Sequence, residues 1–315
     1  MERPFKSPSR GGRLGRALAS LSATIALLAA IAAAVGVFAR GDGAFVTVTS
    51  VRGESYEMAT TGIYANNALQ LVAEGIGWDI FTLVIAVPAL LVAAFLTWRG
   101  SFRGSLVAAG MLGYFFYMHL EYAVTWALGP LFPLFIALYG ASLVGLVGFG
   151  ALFAWQGTAG RFTPRFPRRS WAALSIGMSA MLTVLWVGRI AEALASPGAP
   201  ALHGEVTMTI QALDLGLVVP LSVLIAVTVL RGEPAGLVAA AAFSVTFLVM
   251  TASIAAMMVS SWVVTGVPAV EPIVVFGVAS LLGLLIAVRI YRSLVPSSKP
   301  SAARAALLPR LDPTA

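Results

Sequence analysis

The sequence has no cysteine, two histidines and only 10% charged residues among 315. Each shortage excludes something. Without cysteine there is no disulfide, no thiol nucleophile and no thiolate-bound metal. The histidines, His119 and His203, lie far apart, too few and too scattered for a zinc or di-iron centre. A soluble domain carries about 25% charged residues. This chain cannot clothe a water-facing surface, so lipid must cover it. A phosphate-binding loop, a Gly-x-Ser-x-Gly elbow and nucleic-acid motifs are also missing from the sequence. That argues against a self-contained ATP-driven pump and against a nucleic-acid partner. No cofactor and no metal is expected, and no residue is assigned a catalytic role.

What is present is apolar. Hydrophobic residues make up 59% of the chain and the mean hydropathy is +0.92. A membrane helix needs about 20 largely apolar residues. Eight runs qualify: 17–39, 77–98, 105–128, 131–155, 171–193, 209–230, 236–262 and 271–293. They predict an all-α integral membrane protein of eight transmembrane helices. The first run is too long for a cleaved signal peptide and reads as a retained anchor.

Orientation follows from the cations. With eight spans, every Lys and Arg except Arg40, Arg52 and Arg189 falls on one face. The positive-inside rule then makes both termini cytoplasmic. The expected location is the plasma membrane, as a multi-pass protein of a bacterial inner membrane. The net charge of +7 reads as orientation and contact with the anionic bilayer.

Two segments repeat. "PALLVAAFLTWRGSFRGSLVAAG" from Pro88 and "PLSVLIAVTVLRGEPAGLVAAAA" from Pro220 share Pro, Arg, Gly and Gly at one offset, 132 residues. The chain therefore divides into a basic N-terminus (1–16), a first four-helix half (17–156), a basic loop (157–170), a second half (171–293) and a disordered tail (294–315). An even number of spans per half makes the halves parallel. The external loop 40–76 starts with β-prone "FVTVTSV". A short amphipathic surface helix capped at Thr60 or Thr61 is expected to follow, as a lid or as a spacer.

"GIYANNALQLVAEGIGWDIFTLVIAVPALLVA", "RGSFRG" and "GYFFY" resemble uncharacterised polytopic membrane proteins of bacteria over about residues 55–120. The resemblance implies a multi-pass fold and carries over no residue roles.

The candidate site residues are Glu121, His119, Tyr114, Tyr117, Asp79, Arg189 and Asp214. Tyr114 lies deeper; at about 1.5 Å per residue, Asp79, His119, Glu121, Arg189 and Asp214 lie about 24–30 Å from the basic ends of their helices. They form one layer near the outer edge of the hydrocarbon core. Asp79 and Asp214 are expected near helix N-termini, where the dipole favours a carboxylate. Glu121 lies toward a C-terminus, where it does not. Within "YMHLEYAVTW", Tyr117 to Trp126, helical geometry separates two faces. Tyr114, Tyr117 and Glu121 form the expected inward stripe, facing a proton, a cation or Arg189. Phe115, His119, Tyr122 and Trp126 form the other face, with Tyr122 and Trp126 suited to an interfacial belt. Three functions compete. The first is transport of a small solute, cation or proton through an outward-facing polar vestibule. The second is a sensor or assembly role without transport. The third, an outer-leaflet enzyme, is weakest.

Overall fold

In the computed structural model, which describes residues 10–196 and 202–295, eight long helices carry the chain. They are α1 (Arg10–Phe38), α2 (Leu69–Trp98), α3 (Phe102–Thr125), α4 (Phe132–Gln156), α5 (Arg168–Ala195), α6 (Thr209–Arg231), α7 (Pro234–Thr265) and α8 (Val270–Arg292). All but α3 are long and apolar enough to cross a membrane, and the chain is a multi-pass membrane protein. Its outer surface agrees: Val92, Val147, Val184, Leu224 and Leu281 all point outward from the bundle. The predicted tail lies outside the described residues from 296 on, as does the N-terminus before Arg10.

Why α3 is less apolar follows from its place. It packs against α2, α4 and α7 and meets α6 at one end. A helix wrapped by other helices need not present hydrocarbon to lipid, so Tyr, His, Glu and Gly are admissible on it. Both of its faces are therefore internal. Tyr122 and Trp126 do not form a lipid-facing belt; they are buried in the core, along with Phe115 and His119.

The two helical hairpins flagged by the sequence have matching geometry. Ser101 accepts from the Gly104 N–H and caps α3. Gly100 and Gly232 both turn with positive φ, 80° and 75°. The Gly100 N–H bonds to Thr97 and the Gly232 N–H to Val229; Ser101 bonds to Leu96 and Glu233 to Thr228. Each pair is 132 positions apart. The same spacing separates two π-helical segments, Thr82–Ala86 within α2 and Asp214–Val218 within α6, each followed two residues on by a proline, Pro88 and Pro220. Such single-turn widenings are rare.

The helices are not equally packed. α1 lies along both α2 and α4, with Leu18 and Leu21 against Gly148 and Gly145. By contrast, α5 lies along α6 and barely meets α8. α7 is the central helix: half of its apolar window is buried, 50% against 22% for each of α5, α6 and α8. It crosses α3 at Gly110, where a Cβ would collide with the Ala242 carbonyl oxygen, and accepts α2 at Gly77.

At the basic end, Arg16 lies over Trp98 and Arg161 over Phe102, 4.5 Å from the ring centroid. The loop after α4 pairs with the end of α8 through Thr163 to Ser293 and Val295 to Arg161.

The opposite end differs from expectation. α2 begins at Leu69, so Leu71 and Val72 belong to it and no separate surface helix forms. Residues 60–67 instead make turns, with Asn66 at φ 69°. The buried Asn67 ties them down, donating to Tyr64 O and accepting from the Ala127 N–H at 2.7 Å. Ahead of them, β1 (Phe45–Thr49) and β2 (Ser55–Ala59) form an antiparallel hairpin. The hairpin reaches the other half of the chain. Arg52 donates to Ala193 O at the end of α5, and the Glu54 carboxylate accepts from the Leu202 and His203 N–H groups.

Candidate functional site

α3 carries the polar centre of the molecule and presents a different acid to each side. Toward α2 it reaches Asp79, which is buried. Tyr64 donates to Asp79 Oδ2 at 2.6 Å, and Tyr122 lies 3.1 Å from Oδ1 and 3.3 Å from Gly75 O. Trp78, Tyr122, Trp126 and Tyr64 enclose this group in edge and stacked contacts. Gly36 of α1 closes the back, since a Cβ there would collide with the Asp79 carboxylate and the Tyr64 hydroxyl. Asp79 is ten residues into α2, not at its start, because the helix begins earlier than the hydropathy pattern implies. Two tyrosine hydroxyls, rather than a helix terminus, hold this carboxylate. The Tyr64 hydroxyl, outside the helices, is pushed well above its ordinary pKa by burial and by the neighbouring Asp79, so it stays a donor.

Toward α6, Tyr117 donates to Asp214 Oδ1 at 2.5 Å and Trp186 of α5 donates to Oδ2 at 2.8 Å. Asp214 is the first residue of the π-helical turn in α6. One turn beyond Tyr117, Glu121 faces the same seam. It is 4% exposed, and among the described residues it has no hydrogen bond and no ion pair. Asp214, Glu74 and Glu205 are the charged groups close enough to act on it. Glu74 of α2 accepts from Gln70, which also donates to Ser261 of α7, both at 2.7 Å. Arg189 of α5 lies within electrostatic reach of Glu74, Glu205 and His203.

The predicted residues thus divide. Glu121, Tyr117 and Asp214 share the seam between α3 and α6, with Arg189 at its edge. Asp79 sits on the other side of α3. Tyr114 lies deeper, 2.8 Å from the Thr82 hydroxyl at the π-helical turn of α2. His119 is fully enclosed, its Nδ1 2.8 Å from Phe115 O and its ring stacked on Phe115. Thr251, 132 positions on, makes the equivalent bond to Phe247 O. That is a structural role for the histidine.

Sequence reading missed Glu74, Glu205, Trp186, Gln70 and Tyr64. Glu74 lies three residues before the expected start of its span and so escaped a search along the spans. Glu205 belongs to a loop, and only the folded chain brings it beside α3.

Glu205 lies outside the helices, and its carboxyl is pushed up to about 7, chiefly by burial and then by Glu74, with Arg189 opposing. The folded protein therefore holds this proton more tightly than the unfolded chain, whose value is near 4.5. Stability falls as pH rises between those two values. Thermal midpoints of the wild type should decline across that window, and Glu205→Gln should flatten the decline. An unchanged slope in the variant would exclude Glu205 as its source.

Comparison with models of protein families, with curated proteins and with solved structures finds no match to this chain.

Proposed function

We propose that the protein moves a small solute, cation or proton across a bacterial plasma membrane, through a polar vestibule between two parallel four-helix halves. In this reading all eight helices span, α3 included, and both termini are cytoplasmic. The recurrence of the π-helical turn and of the hairpin bonds at the 132-residue offset supports an internal duplication. The observation that carries the function is Glu121, an unpartnered carboxylate buried in the seam beside Asp214, Glu74 and Glu205. Buried acids in a membrane are costly to keep, and they mark ion or proton pathways. Half-buried Glu74, Glu205 and Asp214 lead from the hairpin end toward it. Toward the basic end the seam is closed by the tight crossing of α3 and α7 at Gly110, where Thr246 also donates to Gly110 O. In this reading the seam takes its substrate from the hairpin end and is sealed at the basic end, one state of an alternating-access cycle.

The test is flux in proteoliposomes against a panel of protons, alkali cations, organic cations and neutral solutes. At least one should move, and Asp214→Asn should slow it. No movement of any of them at any imposed gradient would refute transport.

A further inference from the structure

We infer that the species bound at Glu121 is a proton and not a metal ion; this rests on reading the seam as the transport pathway. A metal ion bound by carboxylates needs about six oxygen ligands free to face it. The seam does not offer them. Both oxygens of Asp214 already accept, one from the Tyr117 hydroxyl and one from the Trp186 indole N–H. One oxygen of Glu74 accepts from Gln70. No group of three or more acidic or histidine side chains among the described residues converges on a point that could hold a metal.

A proton asks for less. It needs one lone pair on one Glu121 oxygen, and Glu121 has no partner among the described residues to compete for it. The titratable groups that face Glu121 from neighbouring elements are acids. They are Asp214 from α6, Glu74 from α2 and Glu205 from the loop before α6. Tyr117 lies on its own helix, Arg189 of α5 acts on Glu74 and Glu205, and α7 carries no titratable side chain. α4 offers only Tyr139. The step balances simply. A hydronium ion at the outer mouth gives its proton to the Glu121 carboxylate, one O–H bond forms, water is left, and no electrons move. Glu205 and Glu74, both part-exposed, supply intermediate acceptors along the way.

Two measurements separate this inference from the transport reading. The first is infrared difference spectroscopy of the purified protein through a pH titration. The protonated-carboxyl C=O band should contain a component that is lost in Glu121→Gln and retained in Glu121→Asp and in the hairpin control Glu57→Gln. A band untouched by Glu121→Gln in protein with wild-type thermal unfolding would overturn the inference. The second is proton uptake by proteoliposomes containing a pH-sensitive dye. Wild type should acidify the lumen and Glu121→Gln should fall to the level of protein-free vesicles. Flux of a metal cation that ignores pH and survives Glu121→Gln would overturn the proton assignment and leave transport standing. A Glu121 band without flux of any solute would refute transport and leave the proton site standing.

Discussion

Gly36→Val is expected to lower the unfolding midpoint in detergent more than any conservative change around it. The reason is local and steric. Asp79 Oδ2 and the Tyr64 hydroxyl occupy the space that a Cβ at residue 36 would take. Neither can withdraw freely, because they are bonded to one another at 2.6 Å and the carboxylate is also held by Tyr122. Overpacking a fitted site costs about 1–3 kcal/mol. Leaving a buried polar group without its hydrogen bond adds about 1–3 kcal/mol. Tyr64→Phe should show the second cost without the first. Gly177→Val on α5, where nothing lies within 4 Å of the added Cβ, should stay near wild type. If Gly36→Val matched Gly177→Val, the junction of α1, α2 and the 60–67 turns would be looser than its geometry indicates.

That knot also shows what hydropathy could and could not reveal. The positions of all eight helices were legible, because lipid-facing runs are long and the turns between them carry Gly and Arg at the right spacing. The start of α2 was not. Residues 69–76, "LQLVAEGI", mix Gln and Glu with apolar residues, which reads as a surface element. They are helical because the Gln70 amide donates both to Glu74 and to Ser261 of α7, so the polar atoms are satisfied inside the protein. The same logic hid the second face of α3. Tyr122 and Trp126 looked like an interfacial belt because a sequence shows spacing, not which neighbours wrap the helix. Glu121 could be singled out by its place against the helix dipole. Its acidic neighbours come from 74, 205 and 214, and no spacing rule joins those positions.

The crossing of α3 and α7 gives the other large effect. Gly110→Val should prevent α3 and α7 from closing against each other, and its yield of folded, monodisperse protein should fall steeply. A Cβ at this position meets the Ala242 carbonyl and the Val245 Cβ. A backbone oxygen inside a helix cannot rotate out of the way, so the helices themselves must separate. Separation would also break the 2.7 Å bond from Thr246 to Gly110 O and leave a polar pair exposed to hydrocarbon. Gly113→Ala is the graded comparison. Its Cβ would meet the Thr246 side chain, which can change rotamer, so a cost of about 1 kcal/mol or less is expected. Gly150→Val on α4 has open space and should be tolerated. The ranking matters beyond stability. Gly110 and Ala242 face each other at the same 132-residue offset that relates the hairpins, so the contact lies where an axis relating the halves would pass. Small residues at such a crossing let backbones approach without side-chain interlock. If the halves rock about this point to admit a proton from one side and release it to the other, Gly110→Ala should slow flux more than it lowers the unfolding midpoint. Equal losses in both would make the crossing a packing contact and no pivot.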